Sequence, residues 1–126
     1  MIAFVLRVQW RAMRLETHEG LFADPATVDD VSRAVAGLTA IGEAFAIMSE
    51  TSESEEYVQA AGTVGENFIV ERRDGCAGEH YRADRRLTAD ELVTMLVGYL
   101  CGATDWSHSV SWHHVRVDFG ATNGNA

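Results

Sequence analysis

The chain has 126 residues and a mass of 13.8 kDa, enough for one domain and too little for two ordinary cores. It is 47% hydrophobic and 23% charged with a single proline, which excludes a disordered tail, a collagen-like repeat and a low-complexity segment. Ten arginines and no lysine stand against nineteen acidic residues, a net charge of -9, so direct nucleic-acid binding is a poor expectation and chemistry that needs a lysine is excluded.

Ile2, Phe4, Leu6, Val8 and Trp10 alternate with Ala3, Val5, Arg7 and Gln9, the period of two of a strand with one buried face. A strand is predicted over 2–16. The run Met1 to Leu6 has no basic leader and is broken by Arg7 and Gln9, so neither a signal peptide nor a membrane span is expected, and the expected location is the cytoplasm. Residues 18–26, with Gly20 and Asp24-Pro25, read as a connector, because a proline pushes the residue before it out of helical geometry. Thr27 can cap a helix over 27–38. Asp29 and Asp30 fall in its first turn, and Val28, Val31, Val35 and Leu38 form its apolar face.

The stretch 43–48 is small and apolar and is assigned to a strand over a continued helix. After the acidic bridge Glu50 to Glu56, three strand-like segments, 57–61, 67–73 and 79–84, are separated by glycine-containing turns, an antiparallel meander. Thr88-Ala-Asp-Glu91 is a capping box, and Leu92, Met95, Leu96, Tyr99 and Leu100 then repeat at helical spacing up to Gly102, a residue suited to a left-handed helix end. A last strand is read from Val110 to Phe119, with a bulge or late start implied by the parity change between Trp112 and Val115. The predicted fold is α+β: an antiparallel or mixed sheet of about six strands packed against two helices, one domain over 1–119, with a flexible tail at 120–126.

The search for chemistry is mostly negative. No phosphate loop, nucleophile elbow, histidine pair on a helix face or calcium loop is present, so no catalytic residue and no cofactor is predicted. Asp105, His108, His113 and His114 are the one metal-like grouping. In a strand, however, His113 and His114 point to opposite faces, and the two ligands left rarely make a site; a small metal-binding protein is the weakest alternative. Cys101 at a helix C-terminus is disfavoured as a thiolate, and Cys76 in a turn reads as incidental. Trp10 and Trp112 are expected in the core and Trp106 at the surface. Arg72, Arg73 and Arg82 are interleaved with Glu71, Asp74, Glu79 and Asp84, which predicts cross-strand ion pairs over an anion site.

Glu50, Glu53, Glu55 and Glu56 have no compensating base in their own stretch. They are expected to face water or a cationic partner. With Trp106 they are the candidate partner-binding residues.

Tyr57-Val-Gln59, Phe68-Ile-Val-Glu71 with Asp74-Gly75, His80-Tyr81, Leu87-Thr88-Ala-Asp-Glu91, Tyr99-Leu100 and the Trp106 to Trp112 ending together resemble the small α/β immunity proteins of bacterial polymorphic toxin systems. The resemblance covers roughly half of the chain, from about Tyr57 to Val115, and Ile2 to Leu38 fit the same layout loosely. It implies a cytoplasmic, non-enzymatic antitoxin that covers the active site of a cognate protein toxin, and it carries over no functional residue. Toxins that act on nucleic acid have basic clefts, which an acidic inhibitor complements. The alternative is a phage-encoded inhibitor of a nucleic-acid-guided defence complex, equally small and acidic.

Overall fold

The computed structural model describes residues 11–75 and 79–115; the predicted strand segment 2–10 with Trp10, Cys76, the last strand beyond Val115 and the tail 120–126 lie outside them. The elements are β1 (Arg14–Thr17), β2 (Gly20–Ala23), α1 (Val28–Ala36), β3 (Phe45–Ser49), β4 (Glu56–Thr63), β5 (Asn67–Asp74), β6 (His80–Ala83), α2 (Ala89–Cys101) and β7 (Trp112–His114). All described strands form one antiparallel sheet in the order β2-β1-β3-β4-β5-β6-β7. The sheet has seven strands, and both helices are where the sequence predicts them. β2 is the addition. Residues 18–26 are not a mere connector, because Gly20–Ala23 turns back to pair with β1. Its signal is weak in sequence since Leu21 and Phe22 stay exposed, so backbone pairing and not an apolar period defines it.

Each helix starts on a threonine. Thr27 Oγ1 accepts the Asp30 N–H at 3.1 Å and the Asp30 carboxylate accepts the Thr27 N–H at 2.9 Å. Thr88 and Glu91 repeat this reciprocal pair at 3.2 and 2.9 Å. Two orphan donors are satisfied each time. At the far end of α2, Gly102 has φ 75°, the left-handed turn that glycine enters without a Cβ penalty.

Register decides where the core lies. Leu15 pairs with Met48, Met48 with Val58, Ala46 with Ala60 and Ala60 with Val70, so these residues share one face. With Phe68 and Ala83 they join Val31, Ala34, Val35, Leu92, Met95, Leu96 and Leu100 in a single buried cluster. Both helices therefore cover the same face. The opposite face is covered by no described helix. At the β7 edge, Arg72 spans three strands: its guanidinium lies 4.6 Å from the Tyr81 ring centre and 4.9 Å from that of Trp112, with Asp74 at 2.6 Å. The ladder closes at the other end of β4 and β5 through Gly62 (φ 140°), where a Cβ would run into the Asn67 carbonyl oxygen.

Gly62→Ala is accordingly expected to destabilise by more than about 1 kcal/mol, whereas Gly65→Ala, in open space with an ordinary φ, changes little; urea unfolding of the two variants measures the difference.

Candidate functional site

The helix-free face is ordered by the same register. Across the sheet, Leu21 lies opposite Glu16, then follow Ile47, Gln59, Glu71, Arg82 and His113 in one row. Glu71 is its centre. Gln59 Nε2 donates to Glu71 Oε1 at 3.1 Å, His80 Nε2 lies 2.8 Å from the same oxygen, and Arg82 donates to Oε2 at 2.7 Å from Nε, with Nη2 at 2.6 Å. An ionised carboxylate only accepts, so His80 Nε2 carries its proton and the Gln59 amide turns its nitrogen inward and its oxygen away. The Glu71 side chain is only 13% exposed. Burial alone would raise its pKa, but the hydrogen bonds from His80 and Arg82 and their charges overcome this and hold the carboxyl below its ordinary range. The Tyr57 ring meets His80 edge-on at 6.4 Å.

Toward the other end of the strands this face becomes apolar. Phe45 pairs with Ala61 and Ala61 with Ile69, and Phe45, Ile47, Gln59, Ala60 and Ala61 line a shallow groove of about 340 Å³. Nothing in the sequence pattern singles these residues out, because strand alternation marks only one face as core.

The acidic bridge sits at the polar end. It is not free of internal partners: Arg11 reaches Glu50 at 3.7 Å and Glu56 at 3.9 Å, and Arg73 reaches Glu55 at 3.6 Å. These arginines lie on other segments, which a reading confined to the bridge itself misses. Glu53 has no ion pair among the described residues. The glutamates nevertheless stay well exposed, 62% for Glu50, 57% for Glu56 and 61% for Glu55. The Gly75 N–H donates to the Glu55 carbonyl at 3.0 Å, and the Asp74 N–H to the Glu79 carbonyl at 3.0 Å, which sets the end of β5 beside the bridge and adds Asp74 and Glu79 to it. One acidic rim results, built from two loops. Tyr81 donates to Glu79 at 2.7 Å, which raises the phenol's pKa. Beneath the rim, Arg11 stacks 4.7 Å from the Tyr99 ring centre; burial first, then the nearby Glu56, pushes the Tyr99 phenol up to about 12, with Arg11 opposing.

Trp106 is half-buried and does not stand out at the surface. It packs against the core, edge-on to Tyr99 at 4.9 Å and to Trp112 at 6.1 Å. Trp112 is also half-buried, and its indole N–H donates to the Ser107 carbonyl at 2.9 Å. Of the expected cross-strand ion pairs, that between Arg82 and Glu71 forms, whereas Arg72 pairs with Asp74 within its own strand. His113 lies opposite Arg82 and His114 opposite Tyr81, so the two point to opposite faces, and among the described residues no three His, Cys, Asp or Glu side chains gather as a metal site. Cys101 is a free, partly buried thiol. Among the described residues no helix is long and apolar enough to cross a membrane.

The fold and this surface define an α+β domain with a seven-stranded antiparallel sheet, helices on one face and a polar network on the other. No family model, curated protein or solved structure matches the chain.

Because the native Glu71 carboxyl is held low, its stabilising contribution is complete above its ordinary value of 4.5 and is lost as pH falls through the lowered native value. Glu71→Gln is expected to cost about 1–3 kcal/mol at neutral pH, and the gap to the parent protein should close on acidification below pH 4.5 in urea titrations run from neutral to acid pH.

Proposed function

We propose that the chain is a non-enzymatic immunity protein that neutralises a cognate toxin in the cytoplasm by covering a basic active-site cleft. The observation that carries this reading is the joined acidic rim. A hydrogen bond between two loops concentrates Glu50, Glu53, Glu55, Glu56, Asp74 and Glu79 at one end of the sheet, beside a face that no described helix covers. An inhibitor needs a broad, preformed surface and a field opposite in sign to that of its target. The rim supplies the field and the strand-borne face supplies the surface. The resemblance over Tyr57 to Val115 gives the class of partner, a protein toxin encoded beside the chain. The rim also makes nucleic acid itself an unfavourable ligand.

Co-expression with the product of an adjacent toxin gene is expected to restore growth, with the two proteins co-purifying. Replacing Glu50, Glu53, Glu55 and Glu56 together by glutamine should slow association by about tenfold at low salt and flatten its salt dependence, since rim charges act chiefly on the encounter. An unchanged rate removes the rim from the interface, and absent protection removes the toxin.

A further inference from the structure

Half of the helix-free face plays no part in the electrostatic reading. The groove lined by Phe45, Ile47, Gln59, Ala60 and Ala61 is apolar except for one amide. That amide is oriented: Gln59 gives its nitrogen to Glu71, which leaves its oxygen as an acceptor with the opposite aim. Phe45 stays 37% exposed, a large ring left open at the groove edge. The charges nearest in chain and register are negative on balance: Arg14 reaches Glu16 at 3.6 Å and Asp24 at 3.9 Å and offsets only part of them. Glu16 lies opposite Ile47 on β1. Glu43, in the turn that leads into β3, is exposed and has no ion-pair partner among the described residues.

We infer that this groove is an anchor site for a partner segment in which an aromatic side chain bearing an N–H or O–H donor is followed by a lysine or arginine. The ring buries against Phe45, Ile47 and Ala61, its donor meets the Gln59 oxygen, and the cation lies toward Glu43, since Glu16 is already shared with Arg14. Each part matches a recurrent property of interface anchors: tryptophan, tyrosine and arginine dominate because they combine area with a directed polar group. A second copy of this chain is disfavoured as the occupant: its net charge is -9, and in its own sequences of this kind, Trp10-Arg11 and Tyr81-Arg82, the arginines are already held by Glu50 and Glu71. The inference rests on the reading that this face binds a protein. It adds which side chains that protein must present.

Short probes test the groove without any toxin. The N-acetylated dipeptide amides Trp-Arg, Trp-Glu and Ala-Arg are titrated into the full chain and followed by amide chemical shifts. Trp-Arg is expected to give saturable shifts centred on Phe45, Ile47, Gln59 and Ala61. Trp-Glu should bind about threefold more weakly, the size of an exposed charge interaction, and Ala-Arg should not saturate. Phe45→Asp should abolish Trp-Arg binding; Glu43→Gln, at an exposed site with no packing role, should remove the preference for Trp-Arg over Trp-Glu while the spectrum stays folded. Shifts that do not saturate, that spread over the surface, that are equal for Trp-Arg and Trp-Glu, or that survive Phe45→Asp overturn the anchor. Such a result leaves the toxin co-expression outcome standing, and failed protection leaves the dipeptide result standing, so the two failures are distinguishable.

Discussion

Glu71 accepts from three side chains on the two strands that flank its own: Gln59 on β4, and His80 and Arg82 on β6. Its desolvation is a cost that the surrounding donors must offset, and removing any one partner would leave polar groups unpaired at a half-buried position. An apolar residue of similar volume could serve net stability as well. What the carboxylate adds is register. A slip of β5 by one residue would bring Val70 or Arg72 to the donors, turn Phe68 from the core to solvent and break the row from β4 to β6 at the same time.

That coupling lets the sheet carry two different faces. On the covered side, Leu15, Met48, Val58, Val70 and Phe68 are fully buried beneath the helices, and hydrophobic burial supplies the driving force. On the other side, the polar half of the face is held by pairs among side chains: Gln59, His80 and Arg82 meet Glu71, and Arg73 meets Glu55. Side chains held in this way lose little further freedom when a partner arrives, which lowers the entropic cost of binding. The face is thus preorganised by contacts whose contribution to folding is modest.

The parts of this fold that local chemistry controls are legible in the sequence. The Thr88 capping box, the Leu92 to Leu100 spacing and Gly102 bound α2 because each is a signal contained in a few residues, and Thr27 marks α1 for the same reason. The strands from Glu56 to Ala83 are legible because glycine turns punctuate them. β2 is not, since pairing with β1 defines it and its side chains add only Ala23 at the core edge and the Phe22 ring beneath Arg33. The candidate surface is half legible. The acidic glutamates are visible as a run, whereas Arg11 and Arg73, which pair with them, and the Gly75–Glu55 bond, which doubles the rim, depend on tertiary contacts between segments far apart in the chain. Trp106 shows the opposite failure: a loop position after a helix suggests exposure, but Tyr99 and Trp112 offer it ring edges and draw it against the core.

The arginines of the rim do not cancel its charge. Arg11, Arg72 and Arg73 stand against six carboxylates, and the pairs of Arg11 and Arg73 are long, 3.6 to 3.9 Å, and exposed on the acidic side, the kind of contact worth little on its own. Two of the three cations are instead fixed by rings, Arg11 over Tyr99 and Arg72 between Tyr81 and Trp112, which places them below the carboxylates and not above them. The negative ends consequently face outward. At physiological ionic strength a screening length of about 8 Å confines their field to the last stage of approach, so the rim acts as an orienting edge for a docking surface more than as a long-range attractor. An orienting edge has use only if a neighbouring surface makes contact once the partner is turned, and the strand-borne face that Glu71 organises lies directly beside it.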